Sequence, residues 1–304
     1  MVTYLPLLLS AVFAVAAPVL ARRLPPHVAT WLLSAGGLVA AAASSASLGL
    51  LALDGLAQAP LLAAHGQWSG TVLRQHDPLT VPIGALATVA VGVLAVRFLR
   101  TGSRRLVAVT GAHRLARGLP GGTGELSVLD SGDRHAFAVP GRPGRIAVTT
   151  GLLRSLDGGQ RRALLAHERS HLRHHHHLHH TACQLAAAVN PLLHRLPAAV
   201  ELATERWADE DAAAVCPRDT VAGALTRAVT GNRLGAPAVV LAAAVTDVAD
   251  RIGALRGPAP RLTWWWLSLP TGLLLATALA VAVALRDTAQ LFELAERAYL
   301  AGQR

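Results

Sequence analysis

Four long apolar stretches dominate the hydrophobic pattern of the chain. A membrane-spanning helix needs about 20 predominantly apolar residues, and stretches near this length run from Tyr4 to Ala21, Val28 to Leu53, Leu79 to Val96 and Leu262 to Leu285. A cleavable signal peptide would carry positive charge before its apolar segment, whereas Arg22 and Arg23 follow the first stretch. We therefore predict four uncleaved spans in a lipid bilayer.

Arginine residues lie on one side of these spans. Two separate the first and second spans, and seven more follow the third span or precede the fourth: Arg97, Arg100, Arg104, Arg105, Arg251, Arg256 and Arg261. The loop 54–78 holds a single arginine. The positive-inside rule then predicts a multi-pass protein of the cell membrane with residues 97–261 in the cytoplasm and both termini extracytoplasmic. The net charge of +10 comes largely from arginines beside the apolar stretches, where they set the membrane orientation. We therefore expect no direct nucleic acid binding.

The segment between the third and fourth spans has a different pattern. Short β-prone runs alternate with Gly, Pro and Asp clusters, as in a small sheet: Leu106–Thr110, Leu126–Leu129, Ala136–Val139 and Ile146–Thr149. A short helix over Leu152–Leu156 and a longer one from near Gln160 through the histidines should follow. We predict a membrane domain (1–100), an inserted cytoplasmic α+β domain (101–261) and a fourth span with a short tail (262–304).

Two weaker apolar stretches remain in that segment. Residues 181–200 are interrupted by Asn190 and Pro191 and predict a buried or membrane-apposed helix. Residues 236–246 are too short to span a bilayer and predict a core helix.

The strongest chemical signal is His167-Glu168-Arg169-Ser170-His171. Histidines four apart on a helix project from one face and can bind one Zn²⁺ at about 2.0–2.1 Å. Glu168 follows the first of them and is placed to act as the general base on a metal-bound water. Five-residue patterns also occur by chance, so this motif alone does not establish a catalytic site.

An acidic segment downstream supplies a candidate third ligand. Within Glu201–Asp211, Glu205 and Asp209 are four apart and share a helix face. Glu205 is predicted to bind zinc, and Asp209 to accept the other ring N–H of a ligand histidine. In isolation this segment would be read as a solvated acidic face. The zinc prediction depends on finding this acidic segment after the histidine motif in the same predicted domain.

The chain also contains a run of histidines, His174–His177 with His179 and His180. On a continuous helix His174 and His175 extend the face of His167 and His171. A solvated helix end is the simpler interpretation, and a secondary metal-binding or buffering role is the alternative. Cys183 and Cys216 lack metal-site spacing.

These motifs resemble a known group of proteins. The segments Ala136–Pro140, Gly144–Leu153 and Leu164–His171, with Asn190-Pro191 and Glu205-x-x-Ala208-Asp209, look like the integral membrane zinc metallopeptidases. The topology is similar to the BlaR/MecR-type antirepressor family, and the HtpX and CAAX-prenyl-protease type is a more distant relative. The resemblance implies a zincin-type domain with His167, His171 and Glu205 as ligands, Glu168 as base and Asp209 supporting a ligand.

The resemblance also implies a mode of substrate binding. Ala136, Phe137 and Ala138 match a strand that pairs with an extended substrate backbone. His135 stands where relatives usually carry Asn, and only residues 286–304 follow the last span where β-lactam-sensing members carry a sensor. β-Lactam sensing therefore does not carry over to this chain.

We expect a zinc endopeptidase that cleaves a cytoplasmic or membrane-proximal protein, with a winged-helix transcriptional repressor as the substrate implied by the resemblance. One alternative is an HtpX-like protease of membrane-protein quality control. The other is a non-enzymatic metal-binding membrane receptor, which would have no use for Glu168.

Overall fold

The chain folds into a mostly helical structure with one small sheet. The computed structural model describes residues 2–76, 80–120, 124–231, 248–258 and 261–302. The first five helices are α1 (Leu5–Arg23), α2 (Pro26–Ala57), α3 (Pro60–Gly66), α4 (Gly70–His76) and α5 (Thr80–Gly118). Strands β1 (Leu126–Leu129), β2 (Ala136–Val139) and β3 (Arg145–Thr149) follow. The remaining helices are α6 (Thr150–Ser155), α7 (Gly158–Arg173), α8 (His176–Val189), α9 (Leu196–Ala213), α10 (Arg218–Gly231), α11 (248–256) and α12 (Trp265–Ala301).

Four of these helices are long and apolar enough to cross a membrane. They are α1, α2, α5 and α12, and each overlaps one of the four predicted spans. The apolar segments of α5 and α12 leave most of their residues exposed, as expected of helices that face lipid rather than a protein core. The helix α12 continues sixteen residues beyond Leu285, to Ala301, so most of the predicted tail is helical. The sidedness of the bundle stays a prediction from the arginine distribution.

Small residues let the spanning helices approach closely. A Cβ atom on Gly84 of α5 would lie 2.4 Å from the Cα atom of Gly55 in α2, so a glycine is needed at position 84 of this crossing. At Gly37 of α2 a Cβ atom would lie 2.2 Å from the side chain of Leu196, the first residue of α9. The second contact places a helix of the inserted segment directly against the bundle.

The predicted strand Leu106–Thr110 is wrong. These residues belong to α5, which continues without a break through residue 100 to Gly118. Between Pro82 and Pro120 the chain has no proline, and the β-branched run is flanked by Arg, Ala and Leu, which favour helix. A five-residue β-prone run therefore does not interrupt the helix. The expected division at residues 100 and 101 falls inside α5, and the division into domains stays a prediction.

The other three predicted strands are present and form one sheet in the order β1-β3-β2. The central strand β3 is parallel to β1 and antiparallel to β2. All five residues of β3 are buried. Because β2 is at an edge of this sheet, its second side faces the helices that carry the predicted metal ligands.

Two helices differ from the expectations. The helix with the first histidines ends at Arg173, and a new one begins at His176, because His175 adopts a left-handed conformation with φ 51°. The segment 181–200 is likewise divided, since α8 ends at Val189 and α9 begins at Leu196. The core helix predicted over 236–246 lies outside the described residues.

Polar contacts attach the inserted segment to the spanning helices. The side-chain amide of buried Asn190 donates to Ser10 Oγ (3.0 Å) in α1 and to Ser44 Oγ (2.9 Å) in α2. Arg206 of α9 donates to the carbonyl of Ala21 near the end of α1. These contacts fix α8 and α9 on the membrane bundle.

The arginine bias predicts a definite membrane orientation. A reporter active only in the cytoplasm should be active when fused near residue 120 and silent when fused near residue 65 or at the C-terminus, because arginines are concentrated where the segment 97–261 meets its two spans, whereas the loop 54–78 holds a single one. Activity near residue 65 with silence near residue 120 would reverse the orientation.

Candidate metal centre

The helix α7 presents both histidines of the motif on one face. Asp157 caps its N-terminus, accepting from the Gln160 backbone N–H at 2.8 Å, while the Gln160 side chain accepts from the Asp157 backbone N–H at 3.2 Å. This reciprocal capping box starts the helix at Gly158, two residues before the predicted start. Two and a half turns later, His167 and His171 bring their Nε2 atoms to 3.1 Å of one another.

The helix α9 brings a carboxylate to the same point. Glu205 Oε2 lies 3.4 Å from His167 Nε2, and Glu205 Oε1 lies 3.4 Å from His171 Nε2. The helix is positioned by its packing on α7 and on the spanning helices α1 and α2. Among the described residues, these three form the one group of histidine, cysteine and acidic side chains close enough to hold a metal ion.

The donor set fits zinc. Ligand bonds of about 2.0–2.1 Å at tetrahedral angles separate donor atoms by roughly 3.3–3.4 Å, close to the 3.1–3.4 Å found here. Two imidazoles and one carboxylate are also a combination used by catalytic zinc sites, which leave the fourth position open. The residues present therefore fit a catalytic rather than a structural zinc ion.

A second layer of contacts supports the ligands. The Nδ1–H of His167 donates to Asp209 Oδ1 at 3.0 Å. Arg251 of α11 donates through Nε and Nη2 to both oxygens of Asp209 at 2.7 and 2.8 Å, and its Nη1 lies 2.9 Å from Glu205 Oε2. Arg251 therefore links the third ligand to the residue that orients the first.

Charge and burial set the protonation of this group. Burial raises the pKa of Glu205 and of Asp209, but the charge and hydrogen bonds of Arg251 and His167 outweigh burial, and both carboxyls stay ionised. Burial lowers the pKa of His167, yet its hydrogen bonds to Asp209 and Glu205 raise it overall, to about 10. Burial lowers the pKa of His171 to about 4. A metal ion at Nε2 of His167 must therefore replace a proton.

The candidate base lies between the metal ligands and the edge strand. Glu168 is 8% exposed, and burial raises its pKa. The backbone N–H of Ala138 in β2 favours the ionised carboxylate and partly offsets the effect of burial on its pKa. A cleft of about 390 Å³ separates β2 from α7 and α8 and is lined by Ala136, Phe137, Ala138, Pro140, His167, Glu168, His171, Leu172, His176, His177, His180 and Glu205.

The backbone of β2 presents alternate residues to this cleft. The backbone N–H and C=O groups of the odd-numbered residues point toward β3. The Thr149 N–H donates to the His135 carbonyl at 3.0 Å, and Phe137, two residues further on, lies opposite Ala147. The backbone groups of Ala136 and Ala138 consequently point the other way. The backbone of Phe137 is directed into the sheet, although its side chain lines the cleft.

The histidine run is mostly inside the structure. The interpretation as a solvated helix end is wrong for His176 and His179, which are 1% and 7% exposed. His179 bonds to Ser34 of α2 and His180 to Thr204 of α9. His174 bonds to Asp211, and the neighbour of the metal ligands is instead His176, whose Nδ1 lies 2.8 Å from His171 Nδ1.

The structure thus brings the predicted site residues to one cleft, except Asp209, which is buried behind His167. Sequence reasoning missed Arg251 and His176. Arg251 follows Asp250 and lies five residues before Arg256, so neither it nor His176 stands out from its local sequence.

Comparison with known proteins supports a peptidase. Residues 111–233 match the model of Peptidase family M48, and the matched segment contains the histidine motif, Glu205 and Asp209. This match supports a metallopeptidase. No curated protein and no solved structure matches the chain.

The contacts predict different effects for the two carboxylates. Glu205→Ala should abolish stoichiometric zinc binding because it removes a ligand, whereas Asp209→Ala should weaken zinc affinity by about 10–100-fold. Zinc analysis of the purified variants measures both effects, with Glu201→Ala, an exposed position one turn earlier on α9, as the control. Zinc retained in Glu205→Ala and lost in Glu201→Ala would identify the other carboxylate as the ligand.

Arg251 should matter most when no zinc is bound. Arg251→Met removes the guanidinium that pairs with the buried Asp209 and the partly exposed Glu205, and removing one partner of a buried ion pair costs about 3–5 kcal/mol of unfolding free energy. Zinc should reduce this loss because it neutralises Glu205. Unfolding in detergent, with and without zinc, measures the difference. The control is Arg297→Met, which removes an exposed ion pair worth about 1 kcal/mol or less. Equal losses for both variants would contradict this account.

Proposed function

We propose that this protein is a membrane-bound zinc endopeptidase that cleaves an extended segment of a protein substrate close to the membrane surface. The observation that carries the proposal is the placement of Glu168 between a convergent His167, His171 and Glu205 donor set and the free side of β2. A non-enzymatic receptor would require the donor set and not a buried carboxyl beside it.

The metal chemistry follows from the donor set. His167 and His171 through Nε2, with Glu205, would hold the ion. When bound, Zn²⁺ supplies a Lewis acid that polarises the scissile carbonyl and lowers the pKa of a water to about 7.

Proton transfer is the task of Glu168. Burial moves its pKa upward, toward the range in which a carboxyl can accept and return a proton near neutral pH. It accepts the proton of the attacking water and passes it to the leaving amine, which completes the hydrolysis. The Asp209–Arg251 pair keeps His167 oriented while the charge in the cleft changes.

Substrate binding is proposed along β2. Ala136 and Ala138 direct their backbone groups into the cleft, and a substrate strand can pair with them as an added strand of the sheet. Glu168 lies beside the Ala138 N–H in this structure, so an incoming substrate carbonyl would compete with it for this donor. The substrate backbone then lies against the base and the metal ligands.

The position of the cleft favours a membrane-proximal substrate. Two residues next to the site in sequence contact the end of α1. Arg206, which follows Glu205, donates to the Ala21 carbonyl. Asp250, which precedes Arg251, forms an ion pair of 3.0 Å with Arg22. We place this side of the bundle in the cytoplasm, from the arginine distribution. A winged-helix repressor is the proposed substrate from the resemblance. Membrane-protein quality control is the alternative that the same location allows.

Replacing the base separates chemistry from metal binding. Glu168→Gln should keep stoichiometric zinc and lose activity by about 10²–10⁴-fold or more, because general-base catalysis typically contributes that much. The assay co-expresses the chain with a winged-helix repressor encoded beside its gene and follows a discrete cleavage product, with Glu201→Gln as the control. Near-normal cleavage by Glu168→Gln would refute the mechanism. Degradation of unfolded membrane proteins with an intact repressor would favour quality control.

The register of β2 predicts which backbone donor the substrate needs. Ala138→Pro removes the N–H that points into the cleft and keeps the donors that bind β3, so zinc should stay bound while kcat/KM falls by about ten-fold or more. The control Ala138→Ser retains the donor and should remain within about three-fold of wild type, since its added hydroxyl leaves the backbone unchanged. Normal cleavage by the proline variant would exclude strand pairing at this edge.

A further inference from the structure

His176 contacts a metal ligand directly although it lies outside the histidine motif. Its Nδ1 is 2.8 Å from Nδ1 of His171. The two rings are perpendicular, with centroids 4.8 Å apart. His176 is 1% exposed, so water does not compete for this contact.

A break in the helix brings His176 to this position. On a continuous helix the residue four after His171 on the same face would be His175, and His176 would lie roughly 140° away around the axis. His175 instead adopts a left-handed conformation, with φ 51° and ψ 44°, which few residues other than glycine adopt. This uncommon conformation at His175 directs the side chain of His176 toward His171.

The contact fixes the protons on both rings. His171 Nε2 faces His167 and Glu205 and is the nitrogen available to a metal. A neutral imidazole that binds through Nε2 carries its proton on Nδ1. This N–H can donate only if Nδ1 of His176 is the acceptor, so the His176 proton lies on Nε2.

The other end of the His176 ring argues against a packing role. Within the described part of the chain, its Nε2 is buried without a hydrogen-bond partner, beside the ring of Trp207 at 5.2 Å between centroids. A buried unpaired polar atom is unfavourable, and phenylalanine would fill this space without it. The nitrogen that makes a hydrogen bond, which phenylalanine could not replace, is Nδ1.

We propose that His176 is a positioning residue of the metal centre, which accepts the Nδ1–H of His171 and holds that ligand in the tautomer and orientation that bind zinc. The proposal rests on the metal site of the proposed function. It assigns to a histidine the role that Asp209 has for His167, so the two imidazole ligands are oriented by different kinds of acceptor. Loss of such a partner should weaken zinc affinity by about 10–100-fold.

Two substitutions separate the acceptor from the shape of the ring. His176→Phe keeps the volume and removes the acceptor, whereas His176→Asn places its carbonyl oxygen near the position of the lost Nδ1. His174→Phe is the control, because His174 stacks on the same Trp207 ring and bonds to Asp211 rather than to a ligand. Zinc affinity of the full-length protein in detergent is measured by competition with a chromophoric chelator. The visible spectrum of the Co²⁺-loaded protein reports the ligand geometry.

The expected result is a 10–100-fold weaker zinc affinity and an altered Co²⁺ spectrum for His176→Phe. His176→Asn should recover most of the affinity, and His174→Phe should resemble wild type. Unchanged affinity in His176→Phe, or equal losses in the Phe and Asn variants, would overturn the proposal and leave the metal site intact. Wild-type protein that binds no zinc would overturn both this proposal and the proposed function.

Discussion

Two carboxylates, the buried Asp209 and the partly exposed Glu205, share a single arginine, and this charge pairing is the constraint on which the site depends. The two residues lie one turn apart on α9, and both contact Arg251 and His167. Without the arginine, two ionised carboxylates would lie side by side with one of them buried, which is unfavourable. With it, one carboxylate oxygen of Glu205 remains directed at each ligand histidine. A metal cation bound by Glu205, His167 and His171 would therefore add a positive charge to a network that already contains Glu205, Asp209 and Arg251.

The same network connects the cleft to the membrane bundle. Arg251 is preceded by Asp250, which pairs with Arg22 at the end of α1, and Glu205 is followed by Arg206, which donates to the Ala21 carbonyl. On each of the helices α9 and α11, one residue thus belongs to the site and the residue next to it contacts α1. One path joins the end of α1 to Glu205 itself, and the other joins it to Arg251, which contacts Glu205. This arrangement keeps the cleft next to the end of α1.

Local patterns predicted the long apolar helices, three strands and the convergence of His167, His171 and Glu205, because apolar length, alternation and i, i+4 spacing are properties of short segments. The residues missed depend on tertiary contacts. Arg251 is 42 residues from Asp209, and its role arises only when α11 packs on α9. The turn at His175 carries no glycine or proline, so the position of His176 could not be inferred. Leu106–Thr110 failed because β propensity is weaker than the continuity of a long helix.

The central claim is that two imidazoles and one carboxylate hold a single zinc ion. X-ray absorption of the zinc edge in the purified full-length protein tests it directly. The account predicts one zinc per chain, with nitrogen and oxygen ligands at about 2.0–2.1 Å, scattering from two imidazole rings and no sulfur shell at about 2.3 Å. A sulfur shell would place the ion at Cys183 or Cys216 instead, and a spectrum without imidazole scattering would contradict the assignment of His167 and His171.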